Sequence, residues 1–337
     1  MSTDHAGVVG SGPRRPLART AGVGVARTPT RRARRRVGDP LFRLLTLGFA
    51  ISVIVIAAVI AGVLFVQSGA ARSAFGWSFV WTSIWDPVAL RFGALPFVYG
   101  TLASTAIALA LAVPLGLGAA ICLAELLPTR LADALTFLIE LLVAVPSVVY
   151  GLVAVFVLVP VMRAVAAPIQ ATLGFIPLFA GPAYGVGLLT AAIVLAIMIV
   201  PFIIAVSREV LLAVPQTQRD AALALGATRW ETVRDVVLPY ARSGILGSIF
   251  LALARALGET MAVTMVIGNR PEISASLFAP AYTMAAVLAN EFTEATDDLY
   301  LSALVEIGLL LFVITVIVNA FAQLLISSVR SSVKGAA

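Results

Sequence analysis

The chain has 337 residues, of which 61% are hydrophobic and 12% charged, with a formal net charge of +6. Its mean hydropathy is +1.04, far from the averages of soluble globular domains, so this is an integral membrane protein. A single His (His5) and a single Cys (Cys122) leave no disulfide, no Cys/His metal cluster and no Ser/His protease dyad. No G-x-x-x-x-G-K-[ST] loop occurs, so energy for any work must come from a partner or an ion gradient.

Residues 1–40, rich in Arg, Gly, Ala, Pro and Thr and without apolar periodicity, are expected to form a disordered basic cytoplasmic arm. Nucleic-acid binding is the alternative for such an arm. Topology and attraction to anionic headgroups explain the same charges, so the bilayer rather than a nucleic acid is the expected partner. The apolar run that follows is too long for a signal-peptide h-region and lacks an obvious cleavage site. It is expected to remain as a true span.

Runs of about 20 or more apolar residues cross roughly 30 Å of hydrocarbon. Such runs fall at 44–66, 97–123, 137–161, 186–206, 244–267 and 301–326. Unbroken runs satisfy their backbone as helices, whereas a barrel needs alternating strands of about ten residues. The expected fold class is an all-α integral membrane protein with six transmembrane helices over 41–330 and a short cytoplasmic tail at 331–337. Pro114, Pro146, Pro160 and Pro201 interrupt these helices as hinges or packed kinks.

Lys and Arg mark the cytoplasmic side. Ten arginines precede the first run, including "RRARRR" at 31–36, and five more lie in 207–242. The segment 269–300 carries Glu272, Glu291, Glu294, Asp297 and Asp298 against one Arg and is expected outside. Both termini are then cytoplasmic.

Between the fourth and fifth runs stands "RDAALALGATRWETVRDVVLP". Thr217-Gln218-Arg219-Asp220 has the form of a capping box, and Gly226 can take the left-handed conformation that stops a helix. A second box, Thr228-Arg229-Trp230-Glu231, starts another helix, which Pro239 is expected to end. The expectation is a cytoplasmic helix, turn, helix at about 207–240. Ala221, Ala222 and Leu225 make its first helix small and apolar enough to lie closely on another surface. The plainer alternative is a connector packed against its own protein.

Asp220-Ala221-Ala222, three residues, Gly226, nine residues, then Val236-Val237-Leu238-Pro239 resembles the "EAA" signature of permease subunits of binding-protein-dependent ABC importers. Asp replaces Glu and Val replaces Ile, both chemically close. The resemblance implies a coupling helix that docks on a cytoplasmic ATPase, with Asp220, Ala221, Ala222, Gly226, Leu238 and Pro239 as its coupling residues. "FGALPFVYGT", "VPSVVYGL", "ALGATRWETV" and "RALGETMAVTMVIGN" are similar to the phosphate ABC importer permeases of the PstC type, over roughly 81–326. The sister PstA type has "GETAPL" where this chain reads Gly258-Glu259-Thr260-Met261-Ala262-Val263.

The resemblance implies several partners: a second permease of the PstA type, two copies of a cytoplasmic ATPase of the PstB type, and an extracytoplasmic phosphate-binding protein of the PstS type. It implies no cofactor on this chain, ATP and Mg belonging to the ATPase, no catalytic residue, and the cytoplasmic (inner) membrane of a prokaryote. A permease for molybdate or sulfate, or an ion-coupled secondary transporter, remains the alternative.

Ionisable residues at membrane depth are costly and are candidates by default. Arg255 and Glu259, four apart in the fifth run, are expected on one helix face as a pair lining the substrate pathway. Arg255 suits phosphate through its guanidinium fork, and Glu259 tempers it. A static ion pair bridging to the partner permease is the competing account. Glu140, near the cytoplasmic start of the third run, and Glu306, near the outer start of the sixth, are weaker candidates.

Overall fold

The computed structural model describes residues 38–334. Most of the basic arm and the last three residues of the tail therefore lie outside the described residues. The chain divides into two compact units, Met1–Val55 and Ile56–Ala337. The first contributes, among described residues, the N-terminal part of helix α1 (Gly38–Gln67); all packing below belongs to the second.

Two short helices, α2 (Gly69–Phe75) and α3 (Ser78–Trp81), lead to α4 (Leu95–Ile121). Then come α5 (Thr129–Val143), α6 (Ser147–Val153) and α7 (Val159–Leu173), followed by α8 (Leu188–Leu212) and α9 (Gln216–Ala224). The remainder is α10 (Arg229–Thr232), α11 (Leu238–Leu257), α12 (Met261–Thr264), α13 (Met284–Glu291) and α14 (Asp298–Lys334). Among the described residues there is no sheet, only the isolated bridges Asp86 with Arg91 and Gly268 with Ala281.

Among the described residues six helices are long and apolar enough to span a membrane: Phe42–Gln67, Leu95–Leu126, Ser147–Leu173, Leu188–Leu212, Arg229–Leu257 and Asp298–Ser328. Two differ materially from the sequence expectation. The third begins at Ser147 instead of residue 137, because Pro146, at φ −58° and ψ 138°, cannot continue the helix before it. The upstream stretch becomes the separate α5, which packs on α8 through buried Ala132 and Thr136. The fifth begins at Arg229 and stops at Leu257 instead of running to residue 267.

Pro239 does not end its helix. A π turn, Val233–Val237, leads directly into α11, which carries Pro239 in its first turn. The same device recurs where the π turn Ala154–Leu158 precedes Pro160, whereas the π turn Cys122–Leu126 ends its helix at an extended Leu127 before Pro128. At Pro239 and Pro160 the carbonyl four residues before the proline, which its ring would crowd, lies within the widened turn. Pro114, Pro168 and Pro201 are passed within α4, α7 and α8 without one.

The core forms where α4 and α8 pack along their length, closing on fully buried Ala108, Ala112, Ala191, Ile199 and Ile203. Lipid supplies no hydrophobic drive between spans, so small residues that allow close approach hold them together. Ser207 and Ser248 share a buried 2.8 Å hydrogen bond that ties α8 to α11.

Candidate functional site

Residues 258–297 depart from helix at the depth where the fifth run was expected to continue. After Leu257 the chain turns through Gly258, Glu259 and Thr260 into the one-turn α12 and then runs irregularly to α13. Irregular backbone survives inside a membrane protein only where protein satisfies it. Here Gly187 N–H donates to Val266 (2.9 Å), Leu188 to Ala279 (3.0 Å), Leu189 to Leu277 (2.8 Å) and Ala281 to Ile267 (3.0 Å). Thr101 Oγ1 accepts from Met284 N–H at 2.9 Å. Gly100 admits the Tyr282 carbonyl so closely that a Cβ there would lie 2.1 Å from its oxygen. Tyr282 is itself buried, and that burial pushes its phenol above the ordinary range.

This break changes the relation between the two expected pathway residues. Arg255 sits in the last turn of α11 and Glu259 beyond the helix, so the i, i+4 helical pairing does not exist and no salt bridge joins them. Glu259 instead accepts from Ala262 N–H at 3.1 Å, a carboxylate at the start of α12, where it compensates unpaired amides. Arg255 is exposed and makes no hydrogen bond or ion pair among the described residues. Its charge reaches Tyr150, whose hydroxyl donates to the Leu142 carbonyl at 2.8 Å. Glu140 is exposed on α5, outside any span.

Besides the continuation through Pro239, the 207–240 segment forms the expected helix, turn, helix with one further correction. No box caps α9: its N-cap is Pro215, and Asp220 accepts instead from Gln216 Nε2 at 3.1 Å. The proline supplies the extended entry that a capping side chain would otherwise fix. Gly226 has φ +89°. Ala227 N–H donates to Ala222 (3.1 Å) and Gly226 N–H to Leu223 (3.0 Å), the paired closure of a Schellman end. Thr228 and Glu231 form the second box in full, Glu231 N–H reaching Thr228 Oγ1 at 3.3 Å and Thr228 N–H reaching Glu231 Oε2 at 2.7 Å. Asp220, Ala221, Gly226 and Pro239 are exposed, Ala222 and Leu238 half-buried. Leu225 (91% exposed) and Trp230 (63%) leave an apolar surface around the turn.

Residues 112–331 match the family model described as "Binding-protein-dependent transport system inner membrane component". The chain belongs to this family. It is 49% identical over 290 residues to the phosphate transport system permease protein PstC of Mesorhizobium japonicum, covering 85% of this chain and 89% of that protein. The protein of the same name from Haemophilus influenzae is 44% identical over 299 residues, covering 87% and 95%. PstC 1 of Mycobacterium tuberculosis is 40% identical over 258 residues, covering 74% and 76%. A chain of the MetNI methionine ABC transporter, in its inward facing conformations, superposes with a TM-score of 0.52 at 16% identity, covering 73% of this chain and 99% of that one. That likeness establishes the permease fold alone.

In this binding-protein-dependent permease one structural pair escaped the sequence reading. Arg219, inside the motif segment, donates to Glu125 Oε1 (2.8 Å), to the Leu211 carbonyl (2.8 Å) and to the Val214 carbonyl. Both side chains of the pair are only 12% exposed. Arg219 thereby fastens α9 to the end of α8 and to the π turn after α4. The signal was two opposite charges on the same membrane face, but their 94-residue separation gives no periodic cue.

Proposed function

We propose that this chain is the permease subunit of an ATP-driven inorganic phosphate importer. Its resemblance to PstC proteins over most of its length carries the reading. These relatives do not favour a molybdate or sulfate permease or an ion-coupled transporter. The chain forms the pathway with a second permease of the PstA type in the cytoplasmic (inner) membrane of a bacterium. A phosphate-binding protein of the PstS type delivers the anion from outside. Two ATPase subunits of the PstB type dock inside and hold the ATP and Mg, so this chain binds no cofactor and catalyses nothing.

In this reading α9 and the Gly226 turn face the cytoplasm and insert into the ATPase. The exposed Ala221, Leu225 and Trp230 supply apolar contact, and the exposed Asp220 supplies charge. Arg255 serves the anion: an exposed guanidinium with no protein acceptor is free to make charge-assisted bonds to phosphate oxygens. Glu259 acts on the pathway through α12, which it caps, and not by neutralising Arg255.

The test is Arg255→Gln in the assembled complex. Gln keeps length and a donor but loses the fork and charge, so phosphate uptake should fall about 10- to 100-fold, the scale of a lost charge-assisted bond, with recovery of all subunits unchanged. Normal uptake by an assembled variant removes Arg255 from the pathway.

A further inference from the structure

Six alternating spans put the end of α1 and the start of α14 on the membrane face away from α9. There α2 and α3 run through a stretch with no charged residue between Arg72 and Asp86. One side of this strap is filled by the protein: Ala71 and Phe79 are buried, and the Phe75 ring packs against Phe79 and edge-on to Phe92. The other side is aromatic as well, but uncovered. Trp77 and Trp81 are 87% and 73% exposed, and neither indole N–H has an acceptor among the described residues. Two large rings, each with a polar N–H at its edge, suit surroundings that are apolar on one side and wet on the other.

The neighbouring spans fix the depth of the strap. The apolar run of α1 ends at Val66, and the Gln67 carbonyl after it accepts from Ser302 Oγ at 3.0 Å. In α14 no charged residue occurs between Glu306 and Arg330. At 1.5 Å per residue 307–329 covers about 35 Å, enough for a hydrocarbon layer of about 30 Å. The turns before it need no lipid, because Tyr300, Leu304 and Val305 are buried in protein. Arg72 and Glu306 face one another at this point as a 3.9 Å ion pair, two charges that neutralise each other where the water ends. Val66 and Glu306 thus mark the outer limit of the hydrocarbon. Trp77 lies at that level, since it lines one cavity with Phe65, Glu306 and Leu310. Trp81 follows one turn later, at the end of α3.

We infer that α2 and α3 form a membrane anchor seated in the outer lipid–water boundary, with the rings of Trp77 and Trp81 against the acyl chains and their N–H groups among the headgroups. The partner is the bilayer surface, with no selection among headgroups. A loop in water would leave both rings solvated, and the absence of charge over 73–85 does not suit such a loop. The anchor also sets the depth at which two spans begin. The Phe79 carbonyl accepts from Ala94 N–H at 2.7 Å, just before α4, and Ala71 N–H donates to Ser302 Oγ of α14 at 3.0 Å. This inference depends on the membrane-spanning fold and not on the phosphate reading.

The full chain, assembled with its partner subunits, is reconstituted in phosphatidylcholine vesicles whose acyl chains are plain or brominated. Trp77→Phe and Trp81→Phe keep an aromatic ring, and the fluorescence missing from each variant, compared at equal subunit recovery, is the emission of that one indole. Each of these emissions should be largely lost in the brominated vesicles, whether or not aqueous iodide also reaches it. Emission that iodide quenches and bromine does not would place the strap in a water-exposed loop. Emission that neither quenches would place it beneath a partner subunit. Either result overturns the anchor. So does recovery of the bromine-quenched emission when the extracytoplasmic phosphate-binding protein is added, which would make this face a docking site for that protein. Phosphate uptake is not the readout, so this proposal and the transport reading fail separately.

Discussion

Two of the helix breaks at glycine, at Gly226 and Gly258, are held by different forces. At Gly226 the backbone is left-handed, and the Schellman bonds and the Thr228–Glu231 box all lie within 216–232, on an exposed surface. At Gly258 the backbone is ordinary, φ −91°, and the local bonds are Glu259 N–H to the Ala256 carbonyl (3.3 Å), Thr260 Oγ1 to the Gly258 carbonyl (3.4 Å) and the Glu259 cap. The rest of what holds it lies far away in sequence, at Gly100, Thr101 and Gly187 to Leu189. A surface break is written in its own residues, whereas a buried break is a collective product of packing.

The strongest challenge to that contrast is Gly100→Val. The Cβ would meet a backbone carbonyl that cannot swing aside, and overpacking of this kind costs about 3 kcal/mol or more. Folded subunit should be nearly absent from detergent extracts. Ordinary recovery would show that 258–297 does not depend on α4.

Among the described residues Arg219 makes the long-range ion pair of the surface break. Arg219→Leu strands Glu125 in a half-closed cleft and should cost about 3 kcal/mol, seen as a lower midpoint in thermal unfolding. The exchanged pair Arg219→Glu with Glu125→Arg should recover part of that loss. If Arg219→Leu leaves the midpoint unmoved, α9 is positioned by its own caps alone.

Gly226→Val forces a β-branched residue into the left-handed region, at about 1–2 kcal/mol. An added Cβ meets nothing within 4 Å, so the penalty is purely conformational. Uptake and transport-stimulated ATP hydrolysis should fall together while the subunit still inserts. Coupled turnover at the normal rate would mean that the turn geometry is dispensable.

Thr228→Ala, the mildest change, removes one cap worth about 1 kcal/mol. Amide hydrogen exchange should quicken around 229–232 and nowhere in 258–297. Faster exchange in both regions would erase the distinction between a local and a collective break.

Much of this was legible in the residues themselves. Apolar run length produced six spans, because backbone satisfaction in hydrocarbon leaves helices as the solution for such runs. Gly226 and the Thr228 box announced the turn, since their chemistry acts over three or four residues. Local rules misled where a neighbouring carbonyl could move. Pro239 should have stopped a helix, but a π turn displaces the carbonyl it would strike. Thr217 should have capped α9, but Pro215 already sets the entry.

The sequence by itself determined the class, the number of spans and the surface helix, turn, helix, since each depends on interactions between residues close along the chain. Only the tertiary structure decided that Arg255 and Glu259 do not pair with each other, that Arg219 reaches Glu125, and that Arg72 meets Glu306 as an ion pair. Ion pairs and irregular buried backbone depend on which distant segments come within about 4 Å, and no periodicity in the chain encodes that distance.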